Sequence, residues 1–247
     1  LDELDLNSSG DTLKVDGLSY TFPVGDKTTV FVGDNMDGST LYSTACVYGG
    51  PTNNLDDCGN GSSALGAGAG TAAGASYDLG NGFTAALGYT GNGSAAAGLL
   101  TKEGFDAYGG QLSYAADSYG AAISYSNNDT PTTDTTYLGV NGYYTFGTVI
   151  DSISAGYEIG DPSDTTGDTS NWFAGITTTE IGPGTVNVGI GTVGHTTEAA
   201  EDLYLYEVSY GWDINDSMSA TVGVFQEERE LHYDSLTGFV ATTTFSF

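Results

Sequence analysis

The sequence predicts an all-β protein, an antiparallel up-and-down transmembrane β-barrel. Three observations predict this fold. Apolar and small polar residues alternate along successive segments, short and long connections alternate between the segments, and the last segment, 236–247, ends on Phe247. A strand of a membrane barrel needs an apolar face toward lipid and a small or polar face toward the interior. A β-sandwich is the alternative for any single segment, but its Greek-key connections do not keep a regular short and long order.

Alternation and turn signals divide the 247 residues into about thirteen predicted strands, with one short helix predicted at 95–103 inside a connection. The predicted strands are 13–24, 27–34, 64–79, 82–91, 105–116, 118–127, 135–146, 149–160, 169–181, 185–195, 202–214, 217–229 and 236–247. Most aromatic residues of the apolar faces stand near strand ends, as expected where lipid meets water. The opposite faces carry small and polar residues, so we expect them to line water.

The connections between the predicted strands alternate in length. The short ones, built from Gly, Asn, Asp and Pro, are 23–27, 78–82, 116–118, 146–148, 180–184 and 213–217. The long ones are 35–63, 92–104, 128–134, 161–168, 196–201 and 230–235. This order is typical of an outer-membrane barrel with brief periplasmic turns and longer outer loops.

The strand direction follows from this order, with Phe247 at the periplasmic rim and the first strand beginning outside. A single-chain bacterial barrel has an even number of strands and starts and ends in the periplasm. Residues 1–247 are therefore expected to form one β-barrel domain, the carboxy-terminal part of a larger barrel whose amino-terminal domain and first strands precede Leu1. The alternative is that one strand has been split or missed.

The charge balance restricts the partners. Four Lys and Arg stand against 32 Asp and Glu, which gives a formal net charge of -28. Nucleic-acid binding is excluded because a phosphate backbone needs a positive surface. Such a field concentrates cations. An acidic surface that only keeps the protein soluble is the alternative, and the two are compatible.

The cysteines Cys46 and Cys58 bracket a loop-like stretch. A disulfide that closes this loop is expected, which fits an oxidising compartment. Two free thiols are the alternative.

Carboxylates near a pore mouth attract cations and reject anions, so acidic residues are the functional candidates. Asp34 and Asp37 begin the longest loop, which we expect to fold into the lumen and set a constriction. The full set of pore and cation-selectivity candidates is Asp34, Asp37, Asp56, Asp57, Asp151, Glu207 and Glu227. Glu207, Glu227 and Asp151 are included because strand parity directs them inward. A solvated surface charge is the alternative for each one.

Catalytic residues are not predicted. The two histidines, His195 and His232, both fall near long loops and lack a His or Cys neighbour at metal-ligand spacing. We interpret them as solvated loop residues and predict no enzyme activity, no metal and no cofactor. An outer-membrane hydrolase is a minor alternative.

Five short segments carry a family resemblance: GLSYTFPVG at 17–25, ALGAGAG at 64–70, DTSNWFAG at 168–175, LYEVSY at 205–210 and NDSMS at 215–219. In order and spacing they resemble the cyanobacterial outer-membrane porins, which are often called iron uptake porins and are related to the carbohydrate porins. The resemblance runs from about Val15 to the end of the chain. It implies a diffusion pore for inorganic ions, iron included, preceded by a surface-layer-homology domain and further strands. It identifies no site residues.

The sequence thus predicts a porin of the bacterial outer membrane that lets small solutes and inorganic ions diffuse passively, with a preference for cations. The expected partners are these ions, the lipid bilayer and further copies of the chain in a homo-oligomer, a trimer. The alternative is a surface receptor or structural protein whose loops 35–63 and 161–168 bind partners.

Overall fold

The computed structural model describes residues 17–43, 45–52, 55, 70–92, 98–101, 104–163, 167–197, 202–229 and 234–246. The strands are β1 (Leu18–Val24), β2 (Thr28–Met36), β3 (Gly70–Gly80), β4 (Phe83–Asn92), β5 (Phe105–Ala115), β6 (Tyr119–Asp129), β7 (Asp134–Thr145), β8 (Ile150–Pro162), β9 (Thr169–Ile181), β10 (Gly184–Thr192), β11 (Thr196–Thr197), β12 (Tyr204–Asn215), β13 (Met218–Glu227) and β14 (Leu236–Phe245). None of the helices among these residues is long and apolar enough to cross a membrane.

The strands form one antiparallel sheet in which each long strand pairs with the next along the chain. The prediction of an all-β, up-and-down architecture is therefore confirmed, and each of the thirteen predicted segments overlaps a strand. The two-residue strand β11, which pairs with β9, was not predicted. Within the described part of the chain, β1 pairs with β2 alone and β14 with β13 alone.

The alternation of short and long connections is confirmed except around β7, where the connections 130–133 and 146–149 have the same length. The β3–β4 turn shows why the short ones are tight, because Asn81 and Gly82 take φ angles of 55° and 85°. Positive φ at both central residues is the requirement of a type I′ hairpin, whose twist matches that of the strands. We call the side of these short turns the turn side and the opposite side the loop side. In the predicted helix 95–103, residues 98–101 are irregular, and the others lie outside the described residues.

The two faces of the sheet differ as predicted. On β6, Ser124 and Ser126 are 1% and 0% exposed, whereas the alternating Ile123 and Tyr125 are 48% and 51% exposed. The exposed, apolar face is the outward one, and the small, polar face is the inward one.

Aromatic residues of the outward face pair at the turn-side ends of the strands. The ring centroids lie 4.7 Å apart in Phe83–Tyr114, 4.9 Å in Tyr144–Phe146 and 5.5 Å in Tyr210–Trp212. Amphipathic rings in this position are typical of the interface between lipid and water. Phe247, which was predicted at the same rim, lies outside the described residues.

Candidate functional site

The connection after β2 lies along the inward face of the sheet. Its described residues, 37–43, 45–52 and 55, are called the inner loop here. The Ser43 N–H donates to Gln111 Oε1 of β5 at 2.6 Å, and the Val47 N–H donates to Ser154 Oγ of β8 at 3.2 Å. Farther along, the Gly49 carbonyl accepts from Asn187 Nδ2 of β10 at 3.0 Å. The loop therefore crosses the interior from β5 to β10, as a loop that narrows a lumen must.

Glu207 of β12 binds the inner loop through both carboxylate oxygens. Tyr48 donates its hydroxyl hydrogen to Oε1 at 2.6 Å, and Thr52 donates to Oε2 at 2.5 Å. Glu207 and Thr52 are 2% and 1% exposed, so both bonds lie away from water. Burial, followed by the negative charge and the hydrogen bond of Glu207, raises the pKa of Tyr48 well above its usual value of 10.0, which keeps Tyr48 a donor. We call this contact the Glu207 clamp.

Apolar packing supports the same part of the loop. Tyr48 and Leu55 form a buried cluster with Phe173, Leu205 and Phe225, which belong to β9, β12 and β13. The rings of Tyr48 and Phe173 have centroids 4.8 Å apart. A buried cluster of this kind contributes through the apolar area that is removed from water.

Glycines of the wall make room for the loop. A Cβ atom added at Gly175 or Gly189 would clash with the Tyr48 ring, and one added at Gly191 would come within 2.6 Å of Leu55 Cδ2. The bare inward positions of β9 and β10 thus form a glycine seat on which the loop rests.

The predicted site residues have different positions. Asp34 is exposed and pairs with Leu18, on the outward face that also carries Tyr20 and Val32. Asp37 opens the inner loop, and its carbonyl accepts the Thr40 hydroxyl at 2.6 Å. Asp151 lies at an irregularity in the β8–β9 pairing next to a turn-side connection.

Three other predicted positions fall outside the described residues, namely Asp56, Asp57 and Cys58. Cys46 is disulfide-bonded.

Glu227 of β13 lies on the inward face, is 6% exposed and contacts Arg229, with 3.4 Å between Oε1 and Nε. Glu207 and Glu227 thus both face inward. The Glu207 carboxylate contacts the inner loop, and the Glu227 carboxylate contacts the guanidinium of Arg229. The structure brings Glu207 together with the inner loop and leaves Asp34 on the opposite side of the wall.

A third inward glutamate was not among the predicted site residues. Glu158 of β8 is 1% exposed and lies 2.7 Å from His195 Nε2, while His195 Nδ1 lies 3.2 Å from Thr169 Oγ1. The ring also meets the edge of Tyr137, with centroids 5.3 Å apart. The interpretation of His195 as a solvated loop residue is therefore wrong. Strand parity places Glu158 inward, but no sequence signal links it to a histidine 37 positions away.

Metal-binding geometry is not found: among the described residues, no three His, Cys, Asp or Glu side chains gather as a metal ion would require. His232 lies outside these residues.

An up-and-down sheet with an apolar outer face, a small polar inner face and a loop folded against that inner face defines an outer-membrane channel. The chain belongs to the Gram-negative porin family, whose sequence profile matches residues 7–230. It is accordingly a protein of the bacterial outer membrane. No curated protein matches the sequence.

Solved porin structures have a similar fold. The anion-selective porin from Comamonas acidovorans has a TM-score of 0.58 and 15% identity, over 86% of this chain and 78% of that one. A porin refined at 1.8 Å resolution has a TM-score of 0.64 and 18% identity, over 89% of this chain and 77% of that one. A triple mutant of the Rh. blastica porin has a TM-score of 0.63 and 15% identity, over 97% of this chain and 81% of that one. At these identities the likeness shows the fold alone.

Proposed function

We propose that this porin is a passive diffusion channel for small solutes that prefers inorganic cations, and that the inner loop sets its constriction. The observation that carries the cation preference is the net charge of -28 on a chain with only four basic residues. An excess of carboxylates raises the local concentration of cations and repels anions.

The positions of the exposed acids support this proposal. Among the described residues they are Asp34, Asp134, Asp161, Asp168, Asp202 and Asp234 on the loop side, and Asp26, Asp78, Asp117, Asp213 and Asp216 on the turn side. Of the four basic residues, Lys27 lies in the β1–β2 turn and Arg229 contacts Glu227, while Lys14 and Lys102 lie outside the described residues. Both rims of the channel are therefore predominantly acidic.

The comparison with the Comamonas acidovorans porin bears on the sign of selectivity. That protein is anion-selective and has a similar fold, so the fold alone does not support a cation preference. The support comes from the charged side chains. Iron enters the proposal as one of the cations that an acidic channel admits, and its support is the resemblance to the cyanobacterial iron uptake porins.

The test is the reversal potential of the reconstituted channel across a planar bilayer with a KCl gradient. We expect the sign that corresponds to cation preference, and a zero or anion-type potential would refute the proposal. Asp34→Asn combined with Asp37→Asn removes one charge from the outward face and one from the start of the inner loop, and it should weaken the preference. Asp134→Asn with Asp161→Asn removes two charges from the outward face of the loop-side rim, and an equal weakening there would show that the rim acids act together and that the start of the inner loop has no special part.

A homo-oligomer, a trimer, is proposed on family membership alone. The mass of the detergent-solubilised complex tests it, since a monomeric mass would exclude a stable trimer.

A further inference from the structure

A carboxylate lies on the outward face of the wall at the loop-side end of β5. Asp106 pairs with Gly91 of β4 and Asp129 of β6, and it has the same parity as Tyr108, which is 50% exposed. Its neighbour Ala107 is 0% exposed and faces inward. Asp106 is therefore directed to the side that meets lipid along the rest of the strand, where an uncovered charge is unfavourable.

The β4–β5 connection covers this carboxylate. Asp106 is only 4% exposed, because it accepts hydrogen bonds from the Tyr89 hydroxyl and, at 3.1 Å, from the Leu100 N–H. A Cβ at Gly91 would lie 2.5 Å from Asp106 Oδ1, and one at Gly104 would lie 3.3 Å from Oδ2. Neither glycine has a side chain that would fill the space around the Asp106 carboxylate. The described residues 98–101 of the connection, called the cover here, are held against the outward face.

The cover presents leucines to the surroundings. Leu99 and Leu100 are 41% and 77% exposed, and Leu100 has a φ of 59°. A left-handed conformation is uncommon for a residue other than Gly, Asn or Asp and persists where other contacts determine it. Here the bond from the Leu100 N–H to Asp106 is such a contact. The backbone is held to the wall, and the Leu100 side chain is left uncovered.

The outward face supplies the environment for these leucines. Leu87 on β4 and Tyr108 and Leu112 on β5 are exposed to the same side at 68%, 50% and 45%, and together they form the lipid-facing surface below the connection. We propose that Leu99 and Leu100 extend this surface as a membrane anchor, inserting into the apolar part of the loop-side lipid leaflet. Asp106 holds the anchor in place through the Leu100 N–H. The partner is lipid hydrocarbon, since the leucines adjoin a face that already contacts lipid.

The experiment places an environment-sensitive thiol-reactive fluorophore at position 100 through Leu100→Cys. The full chain is reconstituted into phosphatidylcholine vesicles with or without lipids brominated on their acyl chains. Leu87→Cys is the matched lipid-facing control, and Thr132→Cys, exposed in the connection after β6, is the aqueous control. We expect brominated lipid to quench position 100 to a degree comparable with position 87. Iodide in the buffer should quench it several-fold less than position 132.

Two other results would overturn the anchor. Quenching by iodide but not by brominated lipid would place position 100 in water, and protection from both quenchers would indicate contact with protein, such as a second copy of the chain. Adding Asp106→Ala to Leu100→Cys should shift quenching from the lipid to iodide. If Asp106→Ala leaves the lipid quenching unchanged, Asp106 does not position the anchor.

Discussion

Replacing Glu207 with Gln should loosen the inner loop without changing the volume of the side chain. Gln keeps one acceptor oxygen but loses the charge and the second acceptor, so the bonds from Tyr48 and Thr52 cannot both persist as they are. A hydrogen bond to a charged group contributes about 1.5–3 kcal/mol. Since about 1.4 kcal/mol corresponds to a tenfold change in an equilibrium constant, the ratio of seated to displaced loop should fall roughly tenfold to a hundredfold.

Single-channel recording in a planar bilayer measures this ratio through brief current fluctuations. Glu227→Gln is the matched control, because it removes the same charge from the inward face of the adjacent strand β13, where the carboxylate contacts Arg229. We expect Glu207→Gln, and equally Tyr48→Phe, to increase the fluctuations far more than the control does. If Glu207→Gln and Glu227→Gln behave alike, the effect is one of charge and the clamp does not hold the loop.

Two further predictions concern the loop and its seat. Gly189→Ala should displace the ring of Tyr48 and change the mean conductance. Gly147→Ala, in a turn away from the loop, should leave the conductance unaltered and lower only the stability, because Gly147 has a φ of 65°. In alkali, a raised native pKa means that Tyr48 keeps its proton when the unfolded chain has lost it, so its contribution to stability should decline as pH rises above about 10. Unfolding curves should therefore show a smaller loss of stability above about pH 10 in Tyr48→Phe than in the unaltered protein. Equal losses would contradict the raised pKa of Tyr48.

The strand pattern was predictable because it is local. The alternation of Ser124 and Ser126 with Ile123 and Tyr125 requires only the two-residue period of a strand and the different solvents on its two faces. Turn residues such as Asn81 and Gly82 likewise specify their own hairpin. These signals were sufficient for the fold class and for most of the order of short and long connections.

The site was less predictable because its contacts join distant parts of the chain. Tyr48 and Glu207 are 159 positions apart, and strand parity says only that Glu207 faces inward, not that a loop covers it. Inward glycines alone do not mark the seat in the sequence, because Gly74 and Gly88 occupy inward positions on β3 and β4 as Gly175 and Gly189 do on β9 and β10. For Asp34, the position in the sequence was a poor guide to the position in the fold. It stands at the start of a long loop, but it lies on the outward face.

In the described part of the chain, the inward glutamates Glu158, Glu207 and Glu227 each contact a partner, namely His195, the inner loop and Arg229. Under the proposed function, a channel built in this way would distinguish the sign of a solute from a distance, through acids at its rims, and not by contact along the wall. Such action depends on the salinity of the surroundings, because charges interact over about 8 Å at physiological ionic strength and about 3 Å in 1 M salt. In brine the same pore would sort solutes by size and become nearly indifferent to their charge.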